Sequence, residues 1–199
     1  SGLVISTEKQ QLIDSLMITF RANSHENLLM RLKPHATSLV LAQAALESGW
    51  GSSKTSQEGF NLFGIWTTPT DSNVIVSRHK ASNKRVYMKR YETLVEAVDH
   101  YFLTLGRNDA YREFHKKRYT NQDVFELIKT LNRYSELRNQ YTQKLRTMVK
   151  YNNFEVYDNY IINPKHVIKY SEYDIWKSEI KNRLKKNRKK PIESDEIRI

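Results

Sequence analysis

Apolar positions recur along this chain with two periods, and the change from one to the other marks its parts. From Thr7 onward, Leu12, Ile13, Leu16, Met17 and Phe20 fall three and four apart, the spacing that gathers side chains on one helix face. The "TEKQ" ahead of them has the form of a capping box, with Thr7 as N-cap and Gln10 three residues on. A helix over 7–30 is predicted, and Pro34 separates it from a second helix over 35–47. That second segment, ending "LAQAALESGWG", is apolar almost all round and is expected to be buried on most sides. Gly49 and Gly51 end it, and 52–70 reads as irregular around "GFNLFGIW". Between 73 and 91 the composition turns β-branched and aromatic. "NVIVSRH" and "KRVYMKRY" flank "KASN", which predicts an antiparallel hairpin. Helical period returns after a second capping box, "TLVE" at Thr93, with Leu94, Ala97, Val98, Tyr101, Phe102 and Leu105. Further helices are predicted at about 109–117, 121–132 and 137–152. The predicted architecture is α+β and mostly helical, with one small β insertion.

The feature that calls for chemistry is Glu47, the only formally charged residue between Pro34 and Ser53. A carboxylate against an apolar helix is poorly solvated, and poor solvation favours its protonated form. The helix C-terminus adds partial negative charge and pushes the same way. A carboxylic acid that keeps its proton near neutral pH is what protonation of a glycosidic oxygen requires. The glycines that follow would let the chain turn and leave the acid facing a cleft. The plain alternative is a glutamate at the exposed end of a buried helix. Trp50, Phe60, Phe63 and Trp66 lie within twenty residues of Glu47. Their rings could stack on the apolar faces of sugars, or, for Phe60 and Phe63, simply fill the core. Asn61 could bond hydroxyl or acetamido groups.

"LAQAALESGWG" followed by "NLFGIW" resembles the signature of the glucosaminidases of glycoside hydrolase family 73, in the Bax-like branch that includes membrane-associated staphylococcal enzymes. The similarity runs through "VYMKRYETLVEAVDHYF", "AYREFH" and "LNRYSELRNQYTQKLRTMVKYNNF", over roughly 30–155. The resemblance implies a lysozyme-like fold: a helical lobe, a small β-hairpin lobe and a cleft between them. It implies an endo-β-N-acetylglucosaminidase that cuts peptidoglycan glycan strands at the bond from N-acetylglucosamine to N-acetylmuramic acid. Glu47 matches the family's catalytic acid, and Tyr134 in "NRYSEL" matches a tyrosine that lines the cleft. Asn61, Phe63 and Gly64 match the "NLFG" loop beside the acid, with Trp50 and Trp66 as further substrate contacts. A core tyrosine would account for Tyr134 equally well. A muramidase or lytic transglycosylase on the same fold, or a non-catalytic peptidoglycan-binding module, are the competing readings.

The second catalytic group is open. Between 56 and 91 only Glu58 and Asp71 precede the end of the hairpin as acids. Asp71 lies at the entrance to the β insertion and is the candidate base, although turn chemistry explains "PTDSN" as well. Glu58 reads as a loop or surface residue. Substrate assistance by the acetamido group would need neither.

Composition adds limits. The 199 residues suffice for one domain with an appendage, divided here into a glucosaminidase domain over 1–155 and a C-terminal extension over 156–199. No apolar run approaches the roughly 18 residues of a spanning helix. There is no cysteine, and the histidines (His35, His79, His100 and His115 among them) lack ligand spacing, so no metal and no cofactor is expected. The chain opens on Ser-Gly, the kind of remnant that tag cleavage leaves, so the natural N-terminus is expected to lie upstream, with an export signal or membrane anchor in it. The resemblance implies an extracytoplasmic location. Net charge is +11, of which 177–190 carries +7 around the stripe Trp176, Ile180 and Leu184. Such a field suits polyanions. The expected partners are peptidoglycan glycan strands, an anionic membrane or wall polymer touched through 177–190, and an integral membrane protein. Nucleic acid is not expected, because the basic run lacks a recognition motif.

Overall fold

The structure, a computed structural model, describes residues 6–78, 84–120 and 123–160. His79 and the basic stretch with its Trp176, Ile180 and Leu184 stripe lie outside the described residues. Eight α-helices and one hairpin are found among the rest.

The first predicted helix is in fact two. Helix α1 spans Thr7–Thr19, and α2 spans His25–Leu32. The chain breaks at Phe20 and Arg21, where Arg21 takes φ +53°. Ser24 supplies the reason: its hydroxyl accepts a hydrogen bond from the Asn27 amide at 3.1 Å and starts a new helix. The expected cap at Thr7 is not used, since Ser6 holds the N-cap position and makes no side-chain bond there. Helix α3 spans Thr37–Ser48 and buries Leu39, Ala42, Gln43 and Ala45. Its N-terminal amides are met from outside by Asp158, which accepts from both the Ser38 amide and hydroxyl at 2.7 Å. Asp158 belongs to a 3-10 turn over Phe154–Asn159. At its other end Gly49 closes α3 in the left-handed conformation (φ +58°), and Trp50 and Gly51 continue with positive φ. A short helix absent from the predicted set follows, α4 over Lys54–Gly59, capped by Ser53.

The hairpin is as expected: β1 over Val74–Arg78 pairs antiparallel with β2 over Arg85–Lys89, in a register from Val74 opposite Lys89 to Arg78 opposite Arg85. The loop before it joins on, since Trp66 bridges to Met88. Helix α5, over Leu94–Arg107, starts at Thr93, whose hydroxyl accepts from the Glu96 amide. It buries Ala97, Tyr101 and Leu105 as its spacing requires. Then come a 3-10 turn (Asp109–Tyr111), α6 (Arg112–Thr120), α7 (Val124–Lys129) and α8 (Asn139–Tyr151). Tyr141, Leu145 and Val149, four apart, form the buried face of α8. The core is one cluster around α3, drawing Leu39, Phe63, Tyr101, Phe114, Leu127, Tyr141 and Leu145 together.

Two arginines are built into this core. Arg118 of α6 is almost wholly buried, and its guanidinium donates to the carbonyls of Met30 (3.0 Å) and Arg31 at the end of α2. Arg31 in turn donates to the carbonyls of Gly106 (3.1 Å) and Arg107 (3.0 Å) at the end of α5 and pairs with Asp109. Cationic donors on the orphan carbonyls of two helix ends satisfy groups that would otherwise be stranded in the core. Arg118→Leu is therefore expected to fold less stably by roughly 2–4 kcal/mol, because it removes the donors and leaves buried carbonyls bare. Urea unfolding followed by circular dichroism checks this, and an unchanged midpoint would refute it.

Candidate active site

Glu47 occupies the last turn of α3, half-buried. Two neighbours define its carboxyl group. One is Gly64, whose φ is +65° and whose missing side chain leaves room: a β-carbon there would stand 3.2 Å from Glu47 Oε2. The other is Tyr141 of α8, whose polar hydroxyl favours the ionised carboxylate. Burial raises the proton affinity of Glu47 above the ordinary glutamate value, and Tyr141 opposes it without reversing it. The same site holds Tyr134 and Tyr141 well above the usual phenol range, burial being the first cause in both, so all hydroxyls here stay protonated.

The loop that carries Gly64 is fixed from three sides. Asn61 is 1% exposed, and its amide nitrogen donates to the carbonyls of Ile65 and Lys89, each at 2.8 Å. Its oxygen accepts from the Ile65 amide at 2.9 Å. Asn61 thus braces the loop against β2, and its amide is spent on backbone instead of facing a ligand. Phe63 is buried too, stacked on Tyr101 with ring centroids 4.1 Å apart. Tyr134 donates from its hydroxyl to the Phe63 carbonyl at 3.1 Å and stacks on Tyr141 at 5.5 Å. Tyr134 therefore ties Tyr141 of α8 to the Gly64 loop.

Phe63, Gly64, Trp66 and Tyr134 line one cleft of about 610 Å³. Ile65, His100, Thr104, Tyr111 and Asn108 complete much of its wall, with Arg21 and Arg107 as cations. Trp66 is 59% exposed there, an aromatic face open to a sugar. Trp50 does not join it. Its ring is 63% exposed but packs near Phe154 (6.0 Å) and lines a separate groove with Leu46, Met148 and Tyr151. Asp71 is not in the cleft wall either. Its carboxylate accepts from Lys89 Nζ (2.7 Å), Thr67 Oγ1 (2.6 Å) and the Asn73 amide (2.9 Å). Lys89 first, then these hydrogen bonds, hold its proton affinity far below the usual carboxylate range.

Sequence reasoning missed Tyr141, Tyr111, His100 and the two arginines. Tyr141 carried a signal, since an aromatic residue heads the buried face of α8. Arg21 and Arg107 carried none, because only the break after α1 and the end of α5 bring them to one cleft.

The chain matches the model of the glucosaminidase family, described as mannosyl-glycoprotein endo-beta-N-acetylglucosaminidase, over residues 25–154. It is 30% identical over 120 residues to the exo-glucosaminidase LytG of Bacillus subtilis, covering 56% of this chain and 38% of that one. It is 36% identical over 84 residues to the peptidoglycan hydrolase FlgJ of Escherichia coli, covering 37% of this chain and 27% of that one. The chain thus spans well under half the length of these relatives. The catalytic domain of the autolysin Auto from Listeria monocytogenes shares the fold, at a TM-score of 0.50 and 23% identity over 79% of this chain and 92% of that domain. The described residues accordingly take the lysozyme-like arrangement expected from the sequence.

Gly64→Ala is expected to strain the backbone and to crowd Glu47 Oε2 at once. A left-handed alanine costs roughly 1–2 kcal/mol, and the carboxyl must move aside. A crystal structure of the variant should show Glu47 displaced from its place beside residue 64. An unmoved carboxyl and an unchanged unfolding midpoint would contradict this account of the loop.

Proposed function

The chain belongs to the glucosaminidase family of glycoside hydrolases, and from that premise we propose that it is an endo-β-N-acetylglucosaminidase acting on the bond from N-acetylglucosamine to N-acetylmuramic acid in peptidoglycan. The observation that carries the reading is the state of Glu47: a carboxyl with raised proton affinity, packed against Gly64, which lines an aromatic-walled cleft whose wall does not include Glu47 itself. A raised proton affinity favours the protonated form that donation to a leaving oxygen requires. A peptidoglycan-binding module has no use for that property.

In the reaction, Glu47 gives its proton to the glycosidic oxygen as the carbon–oxygen bond breaks. The leaving sugar departs as an alcohol, and Glu47 is left as the carboxylate that Tyr141 is placed to stabilise. Water adds to the anomeric carbon, and its proton returns to solvent through a base. Asp71 is a poor candidate for that base. A carboxylate held by Lys89 in strongly acidic form has little affinity for a proton. The cations Arg21 and Arg107 suit the carboxylates of peptide-bearing wall glycans. Substrate in the wall places the enzyme outside the cytoplasmic membrane. The stretch 177–190 would hold it near an anionic lipid surface or wall polymer at about 1 kcal/mol per basic residue.

Glu47→Gln is expected to fold as the native chain does and to lose nearly all hydrolysis of purified peptidoglycan, because an amide cannot supply the proton. With the native enzyme, rate should fall as pH rises through the elevated Glu47 value, since only the protonated form acts. Retention of activity within tenfold of the native rate would overturn the assignment. Mass spectrometry of the digest should show N-acetylglucosamine at the new reducing ends. N-acetylmuramic acid there would point to a muramidase, and release of single units from chain ends would point to exo cleavage of the kind LytG is named for. Asp71→Asn is expected to keep most of the rate, and a loss as deep as that of Glu47→Gln would restore Asp71 as base. Removal of 177–199 should leave cleavage of soluble fragments intact and weaken binding to anionic vesicles at low salt. Equal vesicle binding by both forms would refute the surface role.

A further inference from the structure

Helix α5 carries a second stripe besides its buried one. His100, Thr104 and Arg107 recur four and three residues apart, so they share one helix face, and all three line the cleft. They span about 10 Å of helix, long enough to run beside more than one sugar ring. Asn108 and Arg21 extend the stripe. Each of these side chains can donate a hydrogen bond, and no carboxylate stands among the described residues of the cleft wall.

Packing puts the two arginines in place. Gly106 is buried, and a β-carbon on it would stand 2.7 Å from the Phe20 ring and 2.9 Å from the Arg31 carbonyl. Its missing side chain lets Phe20, at the end of α1, seat on α5. The next residue, Arg21, is held in the left-handed region at φ +53° and lines the cleft together with Arg107. A residue other than glycine takes that conformation at a cost. Among the described residues neither arginine is held by an acid. Asp109, the carboxylate that follows the stripe along the chain, pairs with Arg31 instead.

The hydrogen on His100 is placed by Tyr91. Tyr91 is buried, and its hydroxyl lies 2.8 Å from His100 Nδ1. Burial first, then the charge of Asp71, holds this phenol above its usual range, so it keeps its hydrogen. No other described acceptor bonds it, and a buried O–H without an acceptor is costly. Tyr91 therefore donates and Nδ1 accepts. Burial, then the charges of Lys89 and Arg107, keep the imidazole neutral, so its single ring hydrogen sits on Nε2. Nε2 has no described partner and is not a buried orphan, which leaves Nε2–H as a donor to the cleft.

We propose that His100, Arg107 and Arg21 form a subsite for a carboxylate carried on the glycan strand, so that the cleft prefers acid-substituted strands to neutral polymers of N-acetylglucosamine. The inference rests on the reading of this cleft as a glycan site. The planar guanidinium forks suit a carboxylate, while the exposed Trp66 ring is left for the sugar face. A neutral polymer would cover both cations and give them no counter-charge. In peptidoglycan the carboxylate has two sources: a stem peptide, or the lactyl group of N-acetylmuramic acid where the peptide has been removed.

Calorimetry on the full chain carrying Glu47→Gln tests this with three purified oligosaccharides of equal length: one bearing stem peptides, the same one stripped of them, and a neutral N-acetylglucosamine oligomer. At least one of the acidic pair should bind about tenfold more tightly than the neutral oligomer, and which one does so identifies the source of the carboxylate. Adding Arg21→Gln and Arg107→Gln should abolish that preference, and restoring lysine at both positions should return part of it. A preference that survives in the folded double glutamine variant, or equal binding of all three ligands by the parent, would overturn the subsite and leave the glycan reading standing. No binding of any ligand would sink both. If the Glu47→Gln chain still cuts, the acid assignment fails, and the same ratios are read as relative KM values. Nitrogen-15 NMR of the histidine-labelled native protein should show His100 as the Nε2–H form, and an Nδ1–H ring would overturn its place as a donor.

Discussion

A proton donor at neutral pH needs a carboxyl group that water reaches poorly and a substrate reaches well, and those demands conflict. On the proposed reading, the fold meets them by placing Glu47 where the apolar helix α3 runs out of core. Burial alone would make the group so reluctant to ionise that it could not part with its proton. The Tyr141 hydroxyl moderates this, stabilising the carboxylate that donation leaves behind. Because Tyr141 also heads the buried face of α8, the packing of α8 on α3 sets both stability and acidity. A change that loosens this contact should be felt in the chemistry before the chain unfolds.

The hairpin serves the same constraint from the other side. None of its described residues lines the cleft, yet the Gly64 loop is anchored on it through Asn61 to the Lys89 carbonyl and through the Trp66 bridge to Met88. Lys89 then holds Asp71, which closes the turn leading into β1. Residues that look catalytic by type, an asparagine and an aspartate, are thus spent on keeping a glycine against a glutamate. Their polar atoms do structural work because a loop that approaches a carboxyl this closely cannot be left to fluctuate.

Much of this was legible in the sequence, for stated reasons. The hairpin, α3, α5 and α8 follow from period and from caps such as Thr93. Glu47 stood out because charge is rare in an all-round apolar helix, and the raised proton affinity follows from that same fact. The break between α1 and α2 was missed because the apolar spacing hides a left-handed Arg21 and a serine cap at Ser24. Helix α4 was missed because its six residues, "KTSQEG", hold no apolar period at all. Asn61 and Trp50 were assigned to the cleft from composition near Glu47, but nearness in sequence is not nearness of side chains: Asn61 turns inward and Trp50 faces another groove. Tyr141, ninety-four residues from Glu47, was legible as a buried residue of α8, but its place near Glu47 follows only from how the helices pack.

The arrangement also narrows how the reaction can manage charge. As the glycosidic bond breaks, positive charge grows at the anomeric carbon. None of the described residues lining the cleft is a carboxylate, and two are arginines. Asp71, the one acid that the sequence offered as a partner, is neutralised by Lys89. On the proposed reading, with Glu47 as acid, the acetamido oxygen of N-acetylglucosamine would assist by closing on the anomeric carbon, and no second protein carboxyl would be needed.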